Sequence, residues 1–316
     1  MRIVSLLPSA TEIICELGIG DQLVGVSHEC DFPDFVCKLP KVTCSRIPER
    51  LSSDQIDQTV RECLDTDKSL FSLQLDVLRQ INPDLIITQS LCDVCAVAQS
   101  DVARAVAQLP SHPQVLDLSP ATLDEVFDSI LQVGEVCKVQ SQAHTSVHRL
   151  KHRVEGVKDA FEKSKLLRRK AVILEWLNPL FSAGHWNPQL VELAGGTECI
   201  GRKGQKSTTI SQDQLSAANP EVLIIACCGF NIERTVQDLS PLLLKDSFMK
   251  LQAVQNKRLY VADGNGYFNR PGPRLVDTLE LIAHCLYPEH QPLPDHLRSA
   301  VIRLDPNGLA LQETSS

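Results

Sequence analysis

LRQINPDLIIT, residues 78–88, has a near copy in LSAANPEVLIIA, residues 215–226. Each stretch ends a helical pattern, turns at an Asn-Pro-acid triplet and continues as a short apolar strand. Strands of this composition are typical of parallel sheets covered on both faces. Because each copy lies in its own succession of strands and helices, the repeat predicts two similar lobes. The predicted fold class is therefore α/β, with two Rossmann-like lobes built on parallel sheets.

A long helical pattern separates the two copies. It runs from about Leu123 to Lys165, contains no proline and keeps apolar residues at helical spacing. About 40 residues of helix would span about 60 Å, which is enough to join two lobes as one backbone helix. We therefore predict an N-terminal α/β lobe over residues 1–120, a linking helix over 121–166, a C-terminal α/β lobe over 167–300 and a tail over 301–316.

The chain begins with a predicted strand that leads directly into a helix. RIVSLL, residues 2–7, is apolar, and Ser9 and Glu12 have the spacing of a capping box at a helix start. The free N–H groups of such a helix end can also bind an anionic group. Ser9 is therefore a candidate ligand-binding residue as well as a cap.

The overall composition excludes several classes of partner. The 316 residues are 43% hydrophobic and carry a net charge of −8. A nucleic-acid interface needs a basic face, so no nucleic-acid partner is expected. The N-terminus lacks the pattern of a secretory signal, and no segment reaches the ~18 apolar residues of a membrane span. We expect a cytoplasmic protein without an integral membrane segment.

Chemically distinctive side chains follow the ends of the predicted strands. In parallel α/β sheets, ligands bind in the loops at the carboxyl ends of the strands. Both tryptophans and five of the twelve cysteines fall in such loops, and aromatic walls with few polar groups describe a site for a sizeable organic ligand. These residues are His28, Glu29, Cys30, Cys92, Cys95, Trp176, His185, Trp186, Cys227, Cys228, Gly229, Phe230, Tyr267, Phe268 and Arg270.

Roles within this set follow from residue chemistry. Trp176, Tyr267 and Phe268 are predicted walls for a planar ligand, the alternative being packing between lobes. Gly184 permits close approach of a ligand to His185. Arg270 is a candidate partner for a carboxylate, amide or phosphate. Neighbouring side chains at a strand end point to opposite sides, and we expect Cys228 rather than Cys227 to face the ligand.

The C-x-x-C of Cys92 and Cys95 is the least specific of these motifs. It directly follows the strand of the first repeat copy, before a predicted helix. Two half-buried thiols, metal or cobalt ligands, and a dithiol–disulfide switch are all compatible with the spacing. A zinc ribbon is not expected, because a second C-x-x-C is absent.

Several motifs together resemble a known family. MRIVSLLPSATEI (1–13), SHECDFP (27–33), EWLNPLFSAGHW (175–186) and YFNRPGPRLVDTLELIA (267–283) are similar to motifs of the cobalamin-binding, helical-backbone metal receptors. These are relatives of the vitamin B12 and iron-siderophore binding proteins of ABC importers. The resemblance covers roughly residues 1–287. It implies two lobes joined by one long helix, with the ligand held in a cleft between them.

We therefore predict a non-enzymatic binding protein for a small molecule, a cobalamin-like corrinoid or a similar metal chelate. No phosphate-binding, nucleophile-elbow or zinc-protease motif is present. A first alternative is an intracellular receptor or chaperone for a transition-metal ion, with Cys30, Cys92, Cys95, Cys228 and His28 as ligands. A second is a corrinoid- or thiol-modifying enzyme. The missing secretory signal argues against docking on an ABC permease.

Overall fold

The computed structural model describes residues 1–48, 51–65, 70–90, 97–305, 307 and 310–311. The chain divides into two compact units. The N-terminal unit comprises Met1–Pro120 and Asp124–Arg149, and the C-terminal unit comprises Ala121–Leu123 and Leu150–Ser316. Residues 121–166, predicted as a linking element, are thus divided between the two units.

The N-terminal unit is built on a parallel sheet with the strand order β2-β1-β5-β6. The central strands are fully buried, as their apolar runs predicted. A short antiparallel pair, β3 and β4, lies outside this sheet. The strands are β1 (Ile3–Ser5), β2 (Leu23–Val26), β3 (Thr43–Ser45), β4 (Phe71–Leu73), β5 (Leu85–Thr88) and β6 (Gln114–Asp117). The helices of this part of the chain are α1 (Pro8–Glu16), α2 (Ser53–Asp65), α3 (Leu75–Ile81), α4 (Gln99–Val106), α5 (Leu123–Val136) and α6 (Gln140–Ser164). Both α5, through Leu123, and α6 contribute to both units.

The C-terminal unit contains a mixed sheet with the order β10-β8-β7-β11-β12-β13-β14, and β9 also pairs with β7. Its centre, β7-β11-β12, is parallel, and β8 and β13 run antiparallel on either side. The strands are β7 (Arg169–Leu177), β8 (Leu180–Ser182), β9 (Gly196–Glu198), β10 (Thr208–Thr209), β11 (Val222–Ile225), β12 (Leu259–Ala262), β13 (Val301–Leu304) and β14 (Ala310–Leu311). The helices are α7 (Asn187–Leu193), α8 (Gln212–Ala218), α9 (Ile232–Leu243), α10 (Asp246–Met249), α11 (Gln252–Gln255) and α12 (Leu275–Leu286).

The two copies of the repeat adopt the same local structure. Asn82 ends α3 and Asn219 ends α8, and both asparagines are left-handed, with φ of 49° and 39°. Asparagine adopts this conformation more readily than most residues. The proline that follows prevents the helix from continuing, and a buried strand begins two residues later.

The acidic residue of each repeat fastens its strand to a neighbour. The backbone N–H of Arg2 donates to Asp84 Oδ2 at 2.7 Å, and that of Lys170 donates to Glu221 Oε2 at 2.9 Å. In both units the bonded neighbour, β1 or β7, pairs in parallel with the strand of the repeat. The Asn-Pro-acid triplet is therefore one helix-to-strand connection used twice.

The predicted single helix from Leu123 to Lys165 is two helices. α5 ends at Val136 and α6 begins at Gln140, with Lys138 left-handed between them (φ 60°). The N–H of Val139 donates to the carbonyl of Gly134, which closes the turn. This part of the prediction was wrong because a lysine, rather than glycine or proline, occupies the turn.

Two further boundaries differ from those expected. α1 begins at Pro8, and its N-cap is Leu7 without a side-chain cap, so Ser9 lies inside the helix and the predicted capping box does not form. Proline favours the first helical position because its φ is already helical. Val301–Leu304, predicted to be part of a tail, forms β13 and pairs antiparallel with β12.

Candidate functional site

The carboxyl ends of β7 and β11 bring two aromatic side chains together. Trp176 lies near the end of β7, and Phe230 follows β11, which pairs directly with β7. Their ring centroids are 4.9 Å apart with an interplanar angle of 40°. Both rings are half-buried. The prediction that strand ends bring these distant residues to one place holds for this pair, which forms an accessible aromatic surface.

An arginine that sequence reasoning did not select extends this surface. The guanidinium of Arg234 lies over the Phe230 ring, 4.3 Å from its centroid. Its Nε donates to Asp238 Oδ1 at 3.3 Å. Arg234 is in the first turn of α9, four residues after Phe230, and that spacing within CCGFNIER was the signal available in the sequence. We call Trp176, Phe230 and Arg234 the aromatic surface.

The two cysteines that follow β11 have different surroundings. Cys227 is 1% exposed, and burial raises the pKa of its thiol to about 12. Cys228 is half-buried, and its N–H donates to the carbonyl of Glu175 at 3.0 Å. A thiol at such a high pKa is inert. Cys228 is therefore the more accessible of the two thiols. Gly229 is exposed and left-handed (φ 73°).

The loop that follows β12 is bonded to the loop that follows β11. The N–H of Asn265 donates to the carbonyl of Phe230 at 3.1 Å. Arg270 Nη2 donates to the side-chain oxygen of Asn265 at 3.0 Å. Arg270 is only 5% exposed, so its guanidinium is largely enclosed at this edge, where it was predicted to serve a polar group of the ligand.

Tyr267 is half-buried and lies under the guanidinium of Arg274, 5.1 Å from the ring centroid. Burial is the main cause that raises the pKa of its phenol. The phenol therefore stays protonated and can donate a hydrogen bond at neutral pH.

Trp186 and Phe268 belong to the core. Trp186 is 5% exposed and Phe268 is 1% exposed. The indole N–H of Trp186 donates to the backbone carbonyl of Phe268 at 2.8 Å. A buried tryptophan with a satisfied N–H is a packing residue, and this pair accordingly packs within the C-terminal unit.

His185 lies away from the edge at which β7 ends. β8 runs antiparallel to β7, and the N–H of Ala183 donates to the carbonyl of Ile173, three residues before Trp176. The chain has therefore turned back before it reaches His185. The predicted exit of a parallel strand is therefore a hairpin, and the Asn178-Pro179 pair is the turn signal for it.

A basic loop, residues 202–207, holds the backbone of His185. The N–H of His185 donates to the carbonyl of Gln205 at 2.6 Å, and its own carbonyl accepts from Gly204 at 2.8 Å. Burial and the charge of Lys206 lower the pKa of the imidazole, so the ring is neutral at pH 7. Nδ1 is buried without a hydrogen-bond partner among the described residues.

The carboxylate of Glu198 anchors the start of this basic loop. Its Oε1 accepts the N–H groups of Ile200 and Gly201 at 3.0 and 3.1 Å. Burial nevertheless raises its pKa from 4.5 to about 7. The folded state therefore binds a proton that the unfolded state has lost between these two values.

We expect Glu198 to make the protein less stable as pH rises. Stability falls wherever the folded state binds more protons than the unfolded state, so the contribution of Glu198 is fully present below pH 4.5 and lost as pH passes 7. The loss amounts to up to about 3 kcal/mol. Glu198→Gln removes the titration, and its stability relative to wild type should increase from pH 5 to pH 8 in urea unfolding. A difference that stays constant over this range would contradict the expectation.

In the N-terminal unit, His28 follows β2 and contacts β3 and β4. Its Nδ1 lies 2.7 Å from Thr43 Oγ1, and its ring centroid lies 5.1 Å from that of Phe71. Burial and the charge of Lys41 lower the pKa of the imidazole. His28 is thus a half-buried imidazole that follows a strand, and its role as a ligand-binding residue stays a prediction.

The other predicted residues of the N-terminal unit differ in accessibility. Ser9 is 3% exposed inside α1. Glu29 is exposed, and its N–H donates to Ser27 Oγ. Cys30 is 2% exposed, and its thiol is 3.1 Å from the hydroxyl of Thr11. Of these three, only Glu29 has an accessible side chain.

Sequence reasoning missed two phenylalanines in the same loop. Phe32 and Phe35 are each 44% exposed and lie between β2 and β3. Their exposed rings add apolar surface beside the end of β2. They follow His28-Glu29-Cys30-Asp31 within four residues, and the strand-end rule would have included them if applied that much further.

The predicted metal ligands are not assembled within the described residues. Cys92 and Cys95 lie outside those residues. In the described part of the chain, Asp277, Glu280 and His296 are the group whose donor atoms lie within 4.8 Å of one another. Arg153 hydrogen bonds to both carboxylates, so a cationic side chain already occupies this group.

The family model described as periplasmic binding protein matches residues 3–265. The chain belongs to this family. The vitamin B12-binding protein of Vibrio cholerae is 24% identical over 287 residues, which cover 90% of this chain and 88% of that protein. An uncharacterized ABC transporter substrate-binding lipoprotein of Bacillus subtilis, YvrC, is 25% identical over 91% of this chain and 80% of its own length.

Solved periplasmic binding proteins share the fold. A periplasmic heme-binding protein from Pseudomonas aeruginosa superposes with a TM-score of 0.71 at 20% identity, over 94% of this chain and 96% of that one. The periplasmic vitamin B12 binding protein BtuF of Vibrio cholerae gives 0.64 at 21% identity, over 90% and 96%. The α/β fold and the resemblance recognised in the sequence are thereby confirmed.

Membership of the periplasmic binding protein family places the chain among solute-binding proteins rather than catalysts. The prediction of a non-enzymatic binding protein is confirmed at that level. Within the described residues, no helix is both long and apolar enough to cross a membrane.

Proposed function

We propose that this periplasmic binding protein family member binds a cyclic metal chelate, a cobalamin-like corrinoid or a heme-type ring, with the corrinoid preferred. The aromatic surface of the C-terminal unit carries the proposal. Trp176 and Phe230 come from adjacent strands and lie 4.9 Å apart, so they offer a continuous flat contact for a large ring. Relatives and structural neighbours named for vitamin B12 and for heme support the same class of ligand.

The groups around the aromatic surface suit a ligand with a flat body and polar substituents. Arg234 lies over one end of the surface, and Arg270 is enclosed beside it. Guanidinium groups bind carboxylates and amide carbonyls through several N–H donors. Tyr267 supplies a protonated phenol. This pattern is typical of sites that bind by aromatic contact and orient the ligand with a few polar groups.

Replacement of Trp176 tests the proposal. Trp176→Ala should weaken binding of cobalamin or of iron protoporphyrin about 30-fold, or about 2 kcal/mol, because it removes the largest side chain of the surface. Trp176→Phe keeps an aromatic ring, and its affinity for the ligand should fall only a few-fold. Isothermal titration of both variants with both ligands measures the effect. Equal affinity in wild type and Trp176→Ala would refute the assignment of the surface.

The cytoplasmic location and the lack of permease docking stay predictions. The metal-ion alternative receives no support from the described residues, because Cys30 is buried against Thr11 and the acidic group near His296 is occupied by Arg153. A chelate, which brings its own metal, agrees better with the accessible groups.

A further inference from the structure

Two histidines lie one turn apart on the exposed side of α6. His144 and His148 are both exposed, and their side chains make no hydrogen bond or ion pair within the described residues. Side chains four residues apart on a helix are neighbours, with Cβ atoms about 5–6 Å apart. Two histidines at this spacing form the pair that binds zinc in the H-E-x-x-H motif. The backbone of α6 thus presents two imidazoles at a chelating distance.

A groove between α5 and α6 adjoins His144. It has a volume of about 440 Å³, and Asp128 and Glu135 of α5 line it together with His144. Both carboxylates are exposed, and in the described part of the chain neither forms a side-chain hydrogen bond or an ion pair. A water molecule occupies about 30 Å³ in the liquid. The groove therefore has room for a hydrated ion beside two carboxylates.

The two helices are held close together beside this groove. A Cβ added at Gly134 would lie 2.4 Å from the Cβ of Ala143, so the missing side chain at this position lets α5 and α6 approach. The N–H of Val139 donates to the carbonyl of Gly134 at 2.7 Å and closes the turn. Residues Asp124–Arg149 all belong to the N-terminal unit. The four donor side chains therefore stand on one closely packed helical hairpin within a single unit.

The arginine next to this pair does not oppose a cation. Arg149 directly follows His148, and its Nη2 donates to Glu16 Oε1 on α1. Ser146 Oγ donates to the same carboxylate oxygen. The positive charge of Arg149 is thus balanced by a carboxylate of its own. The two carboxylates of the groove are not balanced in this way, and they favour the approach of a positive ion.

We propose that His144 and His148 bind a divalent ion of a late first-row metal, such as Ni²⁺ or Zn²⁺, with a carboxylate of the groove as third ligand. Imidazole is a preferred ligand of these ions, whereas Mg²⁺ and Ca²⁺ prefer oxygen ligands. The step is dative: lone pairs of two neutral imidazoles and one carboxylate oxygen replace waters on the ion, and the waters leave. The site uses none of the metal ligands predicted from the sequence and is independent of the proposed chelate.

Binding requires the exposed side chains to reorient. Among the described residues, the three donor atoms that lie within 4.8 Å of one another belong to the group held by Arg153. Exposed side chains change rotamer within nanoseconds, while the helices fix the positions of their Cβ atoms. Ordering these side chains costs conformational entropy. We therefore expect moderate affinity for the ion.

Titration with Ni²⁺ tests the proposal on the full chain. Isothermal titration of metal-free wild-type protein should show Ni²⁺ binding, and excess Mg²⁺ should not compete. His144→Ala and His148→Ala should each weaken Ni²⁺ binding at least about 10-fold, because loss of even an outer-shell partner costs a metal site about 10- to 100-fold. The double variant Asp128→Asn/Glu135→Gln should weaken Ni²⁺ binding about 10-fold as well.

His152→Ala is the matched control. His152 is exposed on the same helix, four residues after His148, but it lies in sequence between Lys151 and Arg153. This replacement should leave the affinity for Ni²⁺ unchanged. All the side chains replaced in these variants are exposed, so thermal unfolding without metal should match that of wild type and confirm that each variant folds.

Two further measurements separate the histidines from the thiols of the chain. Cys92→Ser/Cys95→Ser removes the C-x-x-C and should retain Ni²⁺ binding. Carbethoxylation of histidines, mapped by mass spectrometry, should show that Ni²⁺ protects His144 and His148. His112, an exposed histidine outside α6, should stay reactive with and without the ion.

The results that would overturn the proposal are specific. They are absence of Ni²⁺ binding by wild type, unchanged binding in both His144→Ala and His148→Ala, unchanged binding in the double carboxylate variant, or a loss in His152→Ala as large as that in His148→Ala. The proposed function fails on a different observation. Cobalamin affinity should be equal in wild type and His144→Ala, and Trp176→Ala should leave Ni²⁺ binding unchanged.

Discussion

Replacing Arg153 by methionine is expected to destabilise the C-terminal unit by about 3 kcal/mol. Arg153 Nη2 donates to Asp277 Oδ1 at 2.6 Å and to Glu280 Oε2 at 2.7 Å, and its Nε donates to Glu280 Oε1 at 2.9 Å. Both carboxylates are largely buried, with side chains 12% and 16% exposed. Methionine preserves the length of the side chain but removes the guanidinium from two largely buried carboxylates.

A second pair on the same helix provides the control. Lys158 pairs with Glu155 on α6, but the two side chains are 35% and 62% exposed. Exposed pairs contribute little, so Lys158→Met should cost less than about 0.5 kcal/mol. Tryptophan fluorescence during urea unfolding follows the C-terminal unit, because both tryptophans of the chain lie in it. Similar losses of unfolding free energy for Arg153→Met and Lys158→Met would show that the buried ion pairs of Arg153 contribute little to stability.

Gly264→Ala is expected to destabilise the same unit by about 3 kcal/mol and to weaken ligand binding. A Cβ at Gly264 would lie 2.1 Å from the carbonyl oxygen of Cys227 and 2.6 Å from the carbonyl carbon of Ala226. These are backbone atoms at the end of a central strand and cannot move alone. The substitution must separate the loops that follow β11 and β12, which carry Phe230 and Arg270.

Gly229→Ala is the control that separates the effect of steric crowding on stability from the effect of backbone conformation. Gly229 is left-handed (φ 73°), but an added Cβ would meet no atom within 4 Å. Its cost should be only that of the left-handed conformation, about 1 kcal/mol. Denaturant unfolding and ligand titration of the two alanine variants measure the contrast. A smaller loss of stability for Gly264→Ala than for Gly229→Ala would contradict the close contact between the loops that follow β11 and β12.

Local chemistry made the repeated α/β connection predictable. Asn82 and Asn219 end helices, the prolines prevent their continuation, and the apolar runs that follow are buried central strands. Each of these features depends on residues close in sequence, which a single chain reveals. The same rule brought Trp176 and Phe230 to one place, because β7 and β11 pair in parallel and the two residues lie at their carboxyl ends.

The predictions that were wrong concern features that depend on residues distant in sequence, or on residues without a distinct sequence signature. The break between α5 and α6 occurs at Lys138, a residue without a helix-breaking signature. β13 lies in a segment that resembled a tail because its partner, β12, is about 40 residues earlier. Trp186 was predicted to contact the ligand because it follows a predicted strand end, yet it is buried and its N–H donates to the carbonyl of Phe268. His28 contacts Thr43 and Phe71, which lie in other strands, and no pattern in the sequence indicates these contacts.

The central claim, that the chain binds a metal chelate, is tested most directly by competition followed by native mass spectrometry. The protein is mixed with equimolar cobalamin, iron(III) protoporphyrin, and cobalt, iron and zinc salts, and the mass of the complex is measured. We expect one intact chelate per chain, with cobalamin preferred, and loss of that complex in Trp176→Ala. A spectrum that shows only bare metal ions bound, or only the free protein, would contradict the account.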